Sequence, residues 1–153
     1  MDALELKIPP PIVALLIGVA MWFGSRLGPT LEVPFVVRTV AFVALGLLGG
    51  ATALAGNLEF RRARTTINPL RPQNATALVT SGVYRYTRNP MYVGLALLVL
   101  GWAAFLCSPW AIAGPVLFVL YISRFQIEPE EKILSAKFGA EYSSYLSRAR
   151  RWL

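Results

Sequence analysis

The chain has no histidine, one cysteine (Cys107) and only 8 acidic residues among 153. These absences exclude zinc sites of the Cys/His kind, acid–base catalysis by imidazole, haem held by histidine and any intramolecular disulfide, and no other metal-binding set is visible. A dinucleotide fold is excluded as well: no GxGxxG follows a strand-like run, and no βαβ unit fits in the length left outside the apolar stretches. Chemistry is left to Glu, Asp, Arg, Lys, Tyr, Asn or a bound cofactor. Charge of either sign is scarce, at 15% of residues, while 56% are hydrophobic and the mean hydropathy is +0.54. With 15 Lys+Arg the net charge is +7, too sparse and too one-signed to solvate a globule this apolar. The composition predicts a membrane protein whose charge is gathered into short water-facing segments.

A hydrocarbon core about 30 Å thick takes roughly 20 apolar helical residues. Four stretches qualify, 11–27, 33–58, 91–107 and 110–127. The first is the shortest and opens on Pro9, Pro10 and Pro11, where proline suits a helix start. Asp2 and Glu5 offset Lys7 ahead of it and no small-x-small cleavage pattern follows, so it reads as a retained helix. The second is longer than a bilayer requires and should tilt or project, and Gly46 with Gly50 gives it a small-xxx-small pair suited to close packing. The last two, joined only by Ser108 and Pro109, form a tight helical hairpin. Trp22, Trp102, Trp110 and Tyr121 lie near span ends, as interfacial anchors or as packing residues.

Orientation follows from the cations. Arg61, Arg62, Arg64, Arg71, Arg85 and Arg88 lie between spans two and three, and Lys132, Lys137, Arg148, Arg150 and Arg151 after span four, against Arg26 alone in the first link. The positive-inside bias places both polar segments and both termini in the cytoplasm. The expected fold is all-α: an integral membrane bundle of about four transmembrane helices with a C-terminal cytoplasmic amphipathic helix, in the cell's inner (plasma) membrane. The whole chain, 1–153, is expected to form one membrane domain, with the first two spans in 1–58, a cytoplasmic segment in 59–90, the hairpin in 91–127 and the tail helix in 128–153. Topology and anionic headgroups account for the basic residues, so no nucleic-acid partner is implied. The oligomeric state is left open.

The two polar segments are not ordinary loops. Residues 59–90 should extend helix two through Arg64, break at Asn68-Pro69 and Arg71-Pro72, turn at Ser81-Gly82 and reopen as a helix at Asn89-Pro90. In between, Tyr84, Arg85, Tyr86, Arg88 and Asn89 crowd polar and aromatic groups against the bilayer, a pattern that interfacial anchoring alone would also produce. After span four, Pro129 marks a helix start with Glu128, Glu130 and Glu131 in its first turn, where a helix dipole favours acids. Ile127, Leu134, Phe138, Tyr142 and Tyr145 form one face of that helix, with Gly139 as its weak point. Half of the acidic residues, Glu128, Glu130, Glu131 and Glu141, fall here. The hairpin makes the two segments neighbours, so they can share a pocket open to both cytosol and lipid.

These residues carry a resemblance. SGVYRYTRNPMYVG, a helical hairpin, then EPEEKILSAKFGAEYSSYLSR resembles the integral-membrane methyltransferases of the isoprenylcysteine carboxyl methyltransferase type, whose wider group includes phospholipid N-methyltransferases. It covers about residues 76–148, and the first two spans match only in general topology. The resemblance implies S-adenosylmethionine as cofactor, S-adenosylhomocysteine as product, and a lipophilic or lipid acceptor drawn from the bilayer. By position it implies that 59–90 is the cofactor-binding segment, with Leu78, Val79 and Tyr84 in a cofactor-contacting turn. Arg88, Asn89, Pro90, Tyr92 and Gly94 correspond to the signature, and Glu130 with Glu131 to the acidic pair. Glu130 and an arginine such as Arg88 suit the cofactor's ammonium and carboxylate, and Tyr84 or Tyr92 its sulfonium. Arg88, Asn89 and Glu131 are the implied catalytic positions. Relatives usually carry His where this chain has Asn89, which hydrogen-bonds but cannot titrate near neutrality.

Methyl transfer from an activated donor needs alignment and water exclusion more than acid–base groups, so a chain without histidine can perform it. A carboxylate or thiolate acceptor would need no base. An ammonium would, with Glu131 the nearest candidate. Two other readings use the same residues: a non-enzymatic membrane scaffold or lipid-binding protein in which the acids only cap a helix, and an enzyme related to the membrane sterol reductases, whose longer architecture and nicotinamide cofactor fit 153 residues poorly.

Overall fold

The computed structural model describes residues 4–65 and 70–153. The expected break at Asn68-Pro69 and the charge of Asp2 lie outside the described residues. The fold is all-α, with α1 Pro10–Ser25, α2 Phe35–Arg62, α3 Pro90–Leu106, α4 Ala113–Ile122 and α5 Glu128–Leu146. Short 3-10 turns cover Pro72–Asn74, Gly82–Arg85 and Pro109–Ile112, and among the described residues the only β-type pairing is a bridge between Thr87 and Arg150. α2 and the helix Pro109–Leu146 are long and apolar enough to cross a membrane, and α1 and α3 are shorter apolar helices. Their outer faces leave large apolar side chains uncovered, among them Leu15, Phe23, Val36, Leu47, Leu54 and Leu120. Exposed apolar faces of this kind are what a helix bundle presents to lipid.

Behind these faces, α1, α3 and α4 meet in a core of Val13, Met21, Val99, Leu106, Phe118, Ile122 and Ile127. α2 lies along α3 at backbone contact. A Cβ on Gly49 would stand 2.5 Å from the Gly94 carbonyl oxygen, and one on Gly94 would stand 2.5 Å from that of Gly49. One heptad further on, a Cβ on Gly56 would lie 2.9 Å from the Pro90 ring. This corrects the expected pair: Gly50 has nothing within 4 Å and Gly46 makes only an ordinary contact with Leu98 at 3.9 Å. Residues seven apart stay within about 20° of one helical face, so Gly49 and Gly56 face α3 together while Gly50, a further 100° round, points away.

α3 ends on Cys107 in the left-handed conformation (φ 48), and Ser108-Pro109 then makes the expected tight turn. Trp102 is a packing residue, stacked between Trp22 and Phe105 with its N–H on the Gly18 carbonyl at 3.0 Å. α2 ends at Arg62 rather than Arg64, which takes a positive φ of 50.

The expected helix start at Pro129 is also corrected. Over residues 109–138 the chain is one helical run, and the turn Ser123–Ile127 is widened to a π-helix just before Glu128-Pro129. Proline has no N–H for the carbonyl four residues back and its ring crowds it. That carbonyl, of Phe125, accepts instead from the Leu6 N–H at 3.0 Å. The wider turn absorbs the proline without ending the helix. The acids after it therefore do not sit at a free helix N-terminus, and a capping role no longer explains them. Gly139, at φ 50 and ψ −121, breaks α5 as its weak point, a conformation cheap only for glycine. Beyond it Tyr142 and Tyr145 fold under the 78–84 segment in a second core with Val79, Tyr84 and Ala149. The amphipathic tail thus docks on the bundle's basic end.

Candidate functional site

The hairpin returns the start of α3 and the start of α5 to the same place. Between them and the 72–84 segment lies a cavity of about 300 Å³, at the lower end of small-ligand pockets. Eight of the ten site residues expected from the sequence line it: Leu78, Val79, Tyr84, Arg88, Asn89, Tyr92, Glu130 and Glu131. Pro90 and Gly94 do not. They pack on Gly56 and Gly49 and serve the α2–α3 contact.

The two acids have opposite surroundings, as their 100° offset on a helix predicts. Glu130 Oε1 accepts from the Tyr92 hydroxyl at 2.6 Å and from Gln126 Nε2 at 2.7 Å. No cation pairs with it among the described residues. Burial pushes its carboxyl up to about 7, against the two hydrogen bonds that favour the ionised form. Glu131 is saturated with charge: Arg88 Nη2 donates to Oε1 at 2.9 Å, and Arg151 donates Nη2 to Oε2 at 2.6 Å and Nε to Oε1 at 3.3 Å. The bonds from Arg151 hold Glu131 and raise the arginine's own pKa in return. Both Glu131 oxygens are thus committed to guanidiniums, while Glu130 faces the cavity on neutral partners.

Arg88 is committed in the same way. Besides Glu131, its Nη1 donates to the carbonyls of Ala149 and Leu146, and its Nε is buried without a hydrogen-bond partner among the described residues. Asn89, which precedes α3, makes no cap bond to the helix; its Nδ2 donates to the Arg151 carbonyl at 2.9 Å. Aromatic groups supply the remaining walls. Tyr84 and Tyr142 are buried, with Phe60 edge-on to Tyr84, and the Tyr145 hydroxyl donates to the Tyr84 carbonyl at 2.8 Å. Burial drives all three phenols upward, so they stay neutral.

Three contributors carried no sequence signal. Gln126 reaches Glu130 because the π-turn re-aims it. Glu59, at the end of α2, is buried under Gly82, bonded to the Ser81 hydroxyl and paired with Arg62 at 2.6 Å; a Cβ on Gly82 would fall 2.7 Å from it. The backbone of 149–151 pairs with 86–89, the Arg88 N–H donating to the Arg150 carbonyl at 2.8 Å and the Arg150 N–H to the Tyr86 carbonyl at 3.2 Å.

Comparison with known proteins shows what the chain is similar to. A rice (Oryza sativa subsp. indica) protein described as a probable protein-S-isoprenylcysteine O-methyltransferase is 29% identical over 136 residues, 86% of this chain and 62% of its own length. The mouse (Mus musculus) protein-S-isoprenylcysteine O-methyltransferase is 43% identical over 74 residues, 46% of this chain and 25% of its own. The chain thus spans less than two thirds of either enzyme. An uncharacterized Haemophilus influenzae protein is 44% identical over 63 residues, 41% of this chain and all of its own. No solved structure matches. The sequence profile of the phospholipid methyltransferase family matches residues 37–141, a stretch that runs from α2 through the acidic pair of α5, and the chain belongs to that family.

Proposed function

We propose that the chain is an S-adenosylmethionine-dependent methyltransferase acting on a lipophilic, membrane-partitioned acceptor at the cytoplasmic face. The observation that carries the reading is Glu130: an acid without a cationic partner among the described residues, set in an aromatic cavity at the open end of the hairpin. That donor set fits a cofactor bearing an ammonium and a sulfonium, the carboxylate for the first and tyrosine faces for the second. The cofactor brings an already activated methyl group, so the protein's share is to bind, orient and exclude water. Glu130 would hold the ammonium, Leu78, Val79 and Tyr84 would form the apolar and aromatic wall, and Arg88 Nε would offer that wall a spare buried donor. Arg88, Asn89 and Glu131, bound to one another or to the C-terminal backbone, keep the wall in register.

A second, largely apolar groove of about 670 Å³ runs between α1, α2 and α3, lined by Leu15, Val19, Trp22, Phe42 and Trp102 among others. It shares Pro11 and Leu95 with the first cavity. A hydrocarbon tail lying in it would bring its polar head to Tyr92 and Glu130. This supports an acceptor taken from the bilayer, whether a prenylcysteine-like carboxylate, a thiol or a headgroup amine. Isothermal titration of the protein in nanodiscs with S-adenosylhomocysteine is expected to show one site per chain, and absence of binding to folded protein would overturn the reading. Methyl-labelled cofactor incubated with lipid extracts then identifies the acceptor by the fraction that takes up label.

Orientation is tested separately. With both basic segments inside, a cysteine introduced at Thr30 is expected to react with an impermeant maleimide only from the outer side, the native Cys107 being buried. Labelling from the cytoplasmic side alone would reverse the topology.

A further inference from the structure

The polar groups that face the cavity from the start of α3 are not held by α3. Arg88 is fixed by Glu131 and by the carbonyls of Leu146 and Ala149, and Asn89 by the carbonyl of Arg151. Thr87 and Arg150 form an isolated parallel bridge, flanked by the Arg88 and Arg150 backbone bonds. One residue enters this arrangement twice. Arg151 grips Glu131 with Nη2 at 2.6 Å and Nε at 3.3 Å, and its own carbonyl receives the Asn89 amide at 2.9 Å. Next to it, the Trp152 indole N–H reaches the Ser123 hydroxyl at 3.1 Å, at the head of the π-turn that aims Gln126 at Glu130.

We propose that Arg151 is a positioning residue of the site, closing a clasp in which residues 149–152 set the register between the start of α3 and the acidic pair of α5. Its side chain fixes Glu131 against Arg88 and its backbone fixes Asn89, so the two walls of the cavity move together or not at all. Arg88 and Glu131 would still attract each other without Arg151. What is lost is the two-pronged grip that orients the Glu131 carboxylate and, through it, the Arg88 fork.

The proposal rests on the cofactor reading above, and the test separates the two. The full chain in nanodiscs is titrated with S-adenosylhomocysteine as wild type, Arg151→Gln, Arg151→Lys and Arg148→Gln, and backbone hydrogen exchange is followed by peptide without ligand. If the wild type does not bind, the cofactor reading falls and the exchange data alone judge the clasp. With the clasp, Arg151→Gln loses about tenfold or more in affinity. It also loses amide protection confined to residues 86–89 and 149–152, with the helices of the bundle unchanged. Arg151→Lys, which keeps the charge but not the fork, is expected in between, and Arg148→Gln, on an exposed side chain of the same segment, like wild type. Two outcomes overturn the proposal: Arg151→Gln exchanging and binding as wild type does, or protection lost throughout the bundle, which would make Arg151 a general stabiliser. Should Arg151→Gln not fold, equal binding and equal exchange of Arg151→Lys and wild type overturn it as well.

Discussion

Glu130→Gln is expected to abolish most cofactor binding while leaving the empty protein as stable as before or more so. The amide oxygen can still accept from Tyr92 and Gln126, so the local hydrogen bonds survive the substitution. The missing charge matters in two opposite ways. For a cationic ligand group, removing one partner of a buried charged pair costs about 2 to 5 kcal/mol, roughly thirtyfold or more in Kd. For the empty site, the carboxylate is a burden. Its pKa is raised by burial to about 7, so the folded protein binds a proton more readily than the unfolded chain. Stability from this group is therefore full below the ordinary carboxylate range and is lost as pH rises through about 7. At pH 8 the ionised Glu130 costs the empty fold at most about 3 kcal/mol, which the glutamine removes.

The same reasoning sets a pH profile. Affinity for S-adenosylhomocysteine is expected to rise about tenfold from pH 6 to pH 8 as Glu130 ionises, and Glu130→Gln should flatten that rise. Glu141→Gln, on an exposed side chain, is the control and should change neither property. Titration and melting of the three proteins at both pH values decide the matter. If Glu130→Gln binds as wild type does, or melts lower at pH 8, Glu130 is a structural acid and the site assignment fails.

The second large effect is expected in the membrane interior, from two neighbouring glycines that composition cannot tell apart. Gly49→Ala places a methyl 2.5 Å from the Gly94 carbonyl oxygen, a backbone atom that cannot rotate away. α2 and α3 must separate, and overpacking of this kind costs about 1 to 3 kcal/mol or more. Gly50→Ala meets nothing within 4 Å and gains helix propensity, worth up to about 1 kcal/mol. Thermal melts in one detergent should show Gly49→Ala falling by several degrees and Gly50→Ala unchanged or higher. The reverse order would mean that α2 is rotated about its axis relative to this structure. Since Gly94 lies four residues from Pro90 on the helix that carries Tyr92, Gly49→Ala should weaken ligand binding as well.

How the chain's own order and its folded form divide the work is visible in particular residues. The starts of the four apolar helices, the tight hairpin and the tail helix with its Gly139 break were legible because each follows from local physics: hydrophobic length, a proline in a two-residue link, a 3.6-residue period interrupted by glycine. The meeting of Arg88 and Tyr92 with Glu130 and Glu131 was legible too, since a hairpin returns its two ends to one place. The sequence could not tell Gly49 from Gly50 as the packing residue, because the angular offset decides it only once α3 has been placed. Nor could it show that Pro129 lies within a helix. That depends on a π-turn whose displaced carbonyl is taken by Leu6, more than 100 residues away in the chain. Likewise the opposite surroundings of Glu130 and Glu131 rest on Arg151, and the anchoring of Arg88 and Asn89 on carbonyls of 146–151. Hydrogen bonds to backbone carbonyls leave no trace in residue type, and contacts between distant segments have no period to read. Local physics settled which segments are helices and which ends of them meet, while the choice of the acid that stays unpaired in the cavity was made only by tertiary contact.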